Sequence, residues 1–152
     1  MSTFTRILVP LDGSETSKAA LTTALQLARD TGAQLRLVHC LDELAYFGGY
    51  EYSSALIDQA RKDADRLLAE GQDMCRAANI DASTHMIERF GQRLGQSVSD
   101  EAAQWRADLI VVGTHGRRGM GRVLLGSGAE QIIRFSKVPV LTIRGRETDT
   151  GD

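Results

Sequence analysis

The residues with the clearest chemical potential lie between positions 113 and 128. The run Gly113-Thr114-His115-Gly116-Arg117-Arg118-Gly119-Met120-Gly121-Arg122 is followed by Gly126-Ser127-Gly128. Glycines let backbone amides approach an anion closely, and arginines supply charge-assisted donors beside them. An apolar periodicity begins just after Gly126-Ser127, so this pair opens a helix whose free amides and dipole favour phosphate. Ser127 has two uses there: capping the helix when no ligand is present, or donating its hydroxyl to a phosphate. The plain alternative is that these glycines only make turns and the arginines only solvate a loop. Their density, and their place between a strand and a helix, favour phosphate. The common phosphate fingerprints do not fit. Gly121 to Ser127 reads G-x4-G-S without the P-loop lysine, and Pro10-Leu11-Asp12-Gly13-Ser14 stands where a GxGxxG would follow the first strand.

Asp12 is the second candidate, because it directly follows the first apolar run. It can hold a ligand or simply cap a helix or close an Asx-turn. His39, His85 and His115 fall in three separate segments without HExxH or Cys/His spacing, so no protein-held metal site is expected. His115 lies inside the glycine segment, where it would either touch phosphate or point to solvent. For hydrolysis, Glu130 and His115 are conceivable bases, but neither has a partner that marks it as activated. Gly126-Ser127-Gly128 is not a nucleophile elbow, and no kinase-like metal set is present, so no catalytic residue is assigned. Tyr46, Phe47, Tyr50 and Tyr52 could cover a ligand, stack on a base or bury themselves under a helix.

The elements that must position these residues follow from the apolar pattern. Short runs at Ile7-Leu8-Val9, Leu35 with Leu37-Val38, Leu109-Ile110-Val111-Val112, and Val140-Leu141 with Ile143 read as strands buried on both faces. Ser83 to Ile87 is a weaker strand with the mixed character of a sheet edge. Between them run helical stripes. The first holds Ala20, Leu21, Ala24, Leu25 and Ala28, preceded by Ser14 and Ser17 as N-cap candidates. The second holds Ala60, Ala64, Leu67, Leu68, Gly71, Met74, Cys75 and Ala78. The third holds Leu94, Val98, Ala102 and Trp105, with Trp105 expected in the core, and the fourth holds Ala129, Ile132 and Ile133. Strands alternating with helices imply right-handed crossovers and a doubly wound, open parallel sheet covered on both faces. In such sheets ligands sit outside the carboxyl ends of the strands where the winding reverses. If the first and fourth strands are neighbours, Asp12 and the glycine segment face one crevice.

Length and composition narrow the classes further. The chain has 152 residues, 18 Lys and Arg against 20 Asp and Glu, and 42% apolar residues. That is one ordinary globular domain, with no basic excess of the kind that nucleic acid demands and no apolar run fit for a membrane span. A cytoplasmic location is expected. Cys40 and Cys75 read as small buried hydrophobes, with a disulfide as the alternative.

Four segments in register are similar to the ATP-binding branch of the universal stress proteins. They are Ile7-Leu8-Val9-Pro10-Leu11-Asp12-Gly13-Ser14, Val38-His39-Cys40-Leu41-Asp42, the spacing Gly113-x2-Gly116-x9-Gly126-Ser127, and Val138-Pro139-Val140-Leu141. The resemblance spans nearly the whole chain, with one domain over residues 1–145 and a frayed tail over 146–152. It implies a Rossmann-like five-stranded parallel sheet of order 3-2-1-4-5, akin to the adenine nucleotide alpha hydrolases. ATP would lie across strands one and four, with Mg2+ held through the phosphates. Asp12 and the backbone around Cys40 would hold the adenosine end, and Gly113 would lie near the ribose. Gly116, Gly126, Ser127 and Gly128 would cradle the phosphates. Pro10, Leu11, Thr114, His115 and Arg118 complete the nucleotide-binding set expected here. The resemblance also implies a homodimer through the last strand, Val138 to Ile143. The function expected is a nucleotide-dependent regulatory module of the stress response, read by a protein partner. The alternatives are a slow ATPase of the same fold, or a binder of another adenine nucleotide such as cyclic AMP.

Overall fold

The computed structural model describes residues 3–41, 54–89, 91–114 and 125–145. Five strands alternate with four helices: β1 Arg6–Pro10, α1 Glu15–Thr31, β2 Gln34–Cys40, α2 Ser54–Ala77, β3 Ala82–Ile87, α3 Leu94–Trp105, β4 Leu109–Gly113, α4 Ser127–Phe135 and β5 Val140–Ile143. All strand pairs are parallel and the order is β3-β2-β1-β4-β5. The expected strand order and alternation are therefore present. β3 begins one residue earlier than the sequence pattern marks, because Ala82 pairs with Leu35.

The central strands carry apolar runs because successive side chains feed two cores. On one face Ile7, Val9, Leu35, Leu37, Leu109 and Val111 pack against Ala20, Leu21, Ala24 and Ala28 of α1 and Leu68 and Cys75 of α2. On the other, Leu8, Val38, Ile110 and Val112 pack against Val98 and Ala102 of α3 and Ala129 and Ile132 of α4. Gly71 lets α2 approach the sheet, since a Cβ there would lie 2.8 Å from Leu37 Cδ1 and 3.0 Å from Leu11 Cδ1.

Some apolar positions in the helical stripes turn out not to be core. Met74, Leu94 and Ile133 are 39%, 39% and 45% exposed. Each sits at the margin of its stripe, beside a neighbour that takes the inward position. Trp105 is half-buried at the border of the second core, not within it, and two guanidinium groups flank its ring: Arg36 Cζ at 5.2 Å and Arg6 Cζ at 5.5 Å from the centroid. Both cysteines are free thiols. Burial pushes Cys75 up to about 11. Cys40 is only partly buried, where full burial was expected; desolvation, then the charge of Glu101, pushes its thiol up to about 12.

The amino ends of the central strands are tied by Asp108. Its carboxylate accepts from Thr5 N–H at 2.8 Å, Thr5 Oγ1 at 2.9 Å and Arg6 N–H at 3.0 Å. Nearby, the buried carboxylate of Glu101 accepts from Arg36 at 2.9 Å, with His85 Nε2 at 3.6 Å on its other oxygen. Among the described residues, no helix is long and apolar enough to cross a membrane. The expected tail, residues 146–152, lies outside the described residues.

Candidate functional site

The winding reverses between β1 and β4, so the carboxyl ends of these two strands form the crevice that such sheets use for ligands. Pro10 ends β1 opposite Val38 of β2. Leu11, buried beneath the turn, continues the ladder by donating its N–H to the Val38 carbonyl at 2.8 Å. Its own carbonyl lies 2.7 Å from His39 Nδ1. The chain then reverses direction through Gly13, whose φ of +84° is a conformation that glycine adopts without strain.

This turn sets Asp12. Its Oδ1 accepts from Ser14 N–H at 2.8 Å, which is an Asx-turn, and its N–H points to Ser17 Oγ at 3.4 Å. Asp12 Oδ2 has no partner among the described residues. Of the two serines expected as caps, Ser14 takes the position: its Oγ accepts from Ser17 N–H at 3.2 Å. At the carboxyl end of β2, Cys40 pairs with Ile87, and Leu41 N–H reaches the Ile87 carbonyl at 3.0 Å. The backbone expected to meet adenosine is thus held in the ladder beside the Asp12 turn.

From the β4 side, Gly113 comes against the first turn of α1. A Cβ on Gly113 would lie 2.8 Å from the backbone carbon and the Cβ of Thr16. Packing alone therefore accounts for a glycine at this position, a reason that the motif spacing does not disclose. Ser14 Oγ and Thr16 Oγ1 are 3.1 Å apart, so Asp12, Ser14, Thr16 and Gly113 form one line of contacts. Thr114 is buried and donates its N–H to the Ile143 carbonyl at 2.9 Å. Its carbonyl accepts the N–H of Gly126 at 2.5 Å.

Gly126 is the N-cap of α4, with φ −64° and ψ 157°, and among the described residues no side chain caps that helix. Ser127 therefore does not take the capping role expected for it. As the first residue in helical conformation, it stands one position past the place from which a hydroxyl reaches the N2 or N3 amide. The first amides of α4, at the positive end of the helix, have no partner among the described residues. Gly128 lies in the first turn, where a Cβ would meet Leu94 Cδ2 at 2.9 Å. Glu130 pairs with Arg134 at 2.7 Å, which engages the carboxylate considered as a base. His115, Gly116, Arg117, Arg118, Gly119, Gly121 and Arg122 lie outside the described residues, as do Tyr46, Phe47, Tyr50 and Tyr52.

Chemically, the described part offers one unengaged carboxylate oxygen at one end and a helix N-terminus with unfilled amides at the other. A ligand with donors on an apolar ring or sugar and an anionic tail matches both. Among the described residues, no three His, Cys, Asp or Glu side chains gather to hold a metal ion by themselves. Sequence reasoning assigned His39 no role of its own beyond its place in the Val38-His39-Cys40-Leu41-Asp42 segment; its position near the end of β2, beside the Asp12 turn, was the available signal.

The sequence model of the Universal stress protein family matches residues 3–144. A universal stress protein of Methanocaldococcus jannaschii is 29% identical over 146 residues, covering 93% of this chain and 82% of its own. A crystal structure of a universal stress protein family member from Burkholderia pseudomallei superposes with a TM-score of 0.75 at 31% identity, covering 94% of this chain and 98% of its own. A universal stress protein solved in complex with cAMP is similar at a TM-score of 0.70 and 29% identity, covering 95% of this chain and 99% of its own.

Proposed function

The chain belongs to the universal stress protein family, and from that premise we propose that it binds ATP across the carboxyl ends of β1 and β4 as a nucleotide-dependent regulatory module. The observation that carries this reading is the Thr114–Gly126 bond, which sets the start of α4 at the end of β4, the strand that pairs with β1. Asp12 Oδ2 accepts from the adenosine end, beside the backbone of Pro10, Leu11 and Cys40. Gly113 and Thr114 line the middle of the crevice. The amides of Gly126, Ser127 and Gly128 take the phosphates. His115, Gly116 and Arg118 complete the phosphate end in this reading. Mg2+ enters on the phosphates, neutralising charge that the protein leaves unpaired. ATP favours one conformation or assembly state, and a protein partner reads it.

Cyclic AMP is the second reading, favoured by the similar universal stress protein solved with that ligand. A cyclic monophosphate would leave much of the glycine segment without an anion, whereas a triphosphate engages it. Native mass spectrometry of the freshly purified protein, followed by calorimetric titration with Mg-ATP, AMP and cyclic AMP, tests both. Tightest binding of Mg-ATP supports the first reading and tightest binding of cyclic AMP the second; a protein that binds none of them removes both. Turnover measured with and without Mg2+ separates a slow ATPase from a switch.

The same reading makes β5 a dimer edge. It pairs with β4 on one side only among the described residues, and its Leu141 is 37% exposed. An exposed strand edge is a template for a second chain, here a copy of the same strand over Val138–Ile143. Leu141→Lys shifting the mass in solution from dimer to monomer supports it, and a wild-type protein that stays monomeric at all concentrations refutes it.

A further inference from the structure

We infer that His39 is a positioning residue for the adenosine end of the nucleotide, acting through the Leu11 carbonyl on the Asp12 carboxylate. The inference rests on the nucleotide reading above and deepens it.

Leu11 is held from both sides by β2. Its N–H donates to the Val38 carbonyl at 2.8 Å, and its carbonyl lies 2.7 Å from His39 Nδ1. A carbonyl only accepts, so Nδ1 must carry the proton, and the neutral ring is the Nδ1–H tautomer. Asp12 is the next residue: the first bond anchors the Pro10–Leu11 peptide, and the second anchors the Leu11–Asp12 peptide from which Asp12 projects. Downstream, Oδ1 is taken by Ser14 N–H at 2.8 Å, which orients the carboxylate and leaves Oδ2 for a ligand. No other described side chain donates to the Leu11 carbonyl. Without His39 the β1–α1 turn keeps its Ser14 cap and its Gly13 conformation, but the Leu11–Asp12 peptide loses its one anchor to β2 among the described residues, its N–H pointing instead to Ser17 of α1. Because Asp12 meets the adenosine end in this reading, the loss falls on adenosine and ATP alike.

The test compares His39→Leu, which removes the donor, with His39→Asn, whose amide nitrogen is as far from Cα as Nδ1 is. Affinities for adenosine and Mg-ATP are measured by calorimetry in the wild type, both variants, Asp12→Ala and the double variant His39→Leu/Asp12→Ala. His39→Leu should weaken both ligands equally, by about fivefold to tenfold, the range for one lost hydrogen bond. His39→Asn should recover most of that loss. In the Asp12→Ala background His39→Leu should add no further loss, whereas a merely structural effect would add in full. Unchanged affinity in His39→Leu, loss confined to ATP, or full additivity overturns the inference while leaving the nucleotide reading standing. Absence of any adenosine or ATP binding by the wild-type protein removes both. If His39→Leu does not fold, nitrogen NMR of the wild-type ring decides: Nδ1–H in the presence of adenosine supports the inference, and Nε2–H overturns it.

Discussion

The N–H of Gly126 donates to the carbonyl of Thr114 at 2.5 Å, across eleven intervening residues. The two ends of that segment therefore meet at one point, where β4 stops and α4 starts. The conformation of Gly126, φ −64° and ψ 157°, is open to any residue, so the backbone itself does not require glycine there.

A methyl group at Gly126 thus separates ligand approach from folding. Gly126→Ala should stay folded, with stability within about 0.5 kcal/mol of wild type in urea titrations. Its affinity for Mg-ATP should fall by about tenfold, equivalent to about 1.4 kcal/mol, because the methyl intrudes where phosphate meets backbone. Gly116→Ala should behave similarly. Unchanged ATP affinity in both variants would remove the phosphate assignment.

Gly113 makes the opposite forecast. A Cβ there meets the backbone of Thr16 at 2.8 Å, which a flexible side chain cannot relieve. Gly113→Ala should lose about 1–3 kcal/mol of folding stability, read as a lowered urea midpoint at constant slope. A variant as stable as wild type would show that α1 can shift away from β4.

At Asp12 the two carboxylate oxygens have different roles, and two substitutions tell them apart. Asp12→Asn keeps an oxygen for Ser14 N–H and so retains the Asx-turn, while losing the charge presented to the ligand. It should be nearly as stable as wild type but bind adenosine and ATP less tightly. Asp12→Ala should lose affinity for both ligands and also about 1 kcal/mol of stability from the turn. If either variant weakens only ATP, Asp12 belongs at the phosphate or metal end.

Acid should unlock the amino ends of β1 and β4. Desolvation would raise the Asp108 carboxyl, but the backbone amides of Thr5 and Arg6 and the Thr5 hydroxyl outweigh it and hold the group below its ordinary value. Since the folded value is the lower one, Asp108 stabilises the fold above the ordinary carboxylate range. That contribution is lost as pH falls through the lowered folded value. Asp108→Asn should therefore destabilise clearly at about pH 7 and much less at about pH 2, judged by urea unfolding at both.

The strand–helix alternation was legible because the central strands are buried on both faces, which leaves short apolar runs with helical stripes between them; the order 3-2-1-4-5 came from the family resemblance. The crevice followed from the order, and Ser14 was legible as a cap from its place before the stripe. Periodicity fails at stripe margins: Met74 and Ile133 share the apolar character of their neighbours but not their direction. Polar residues inside a fold are equally silent. Arg36 and Glu101 stand in no sequence motif, yet they meet between sheet and helix, and the carboxylate of Glu101 is 3% exposed. Ser127 looked like a cap because serine prefers that position, but the extended backbone is at Gly126 and the helix begins one residue earlier than a Ser127 cap would need. The tie between His39 and Leu11 joins residues 28 apart and follows no local pattern.

Trp105 is the chain's one tryptophan, and it is clasped by Arg6 and Arg36 near the amino ends of the strands, at the opposite end of the sheet from the turn that carries Asp12. Its indole is thus a native fluorophore placed away from the crevice. Emission from it should register the melting of the sheet and the release of the two guanidinium groups, yet stay dark to ligand arrival. Anyone titrating nucleotide into this protein by intrinsic fluorescence would be watching the wrong end of the molecule.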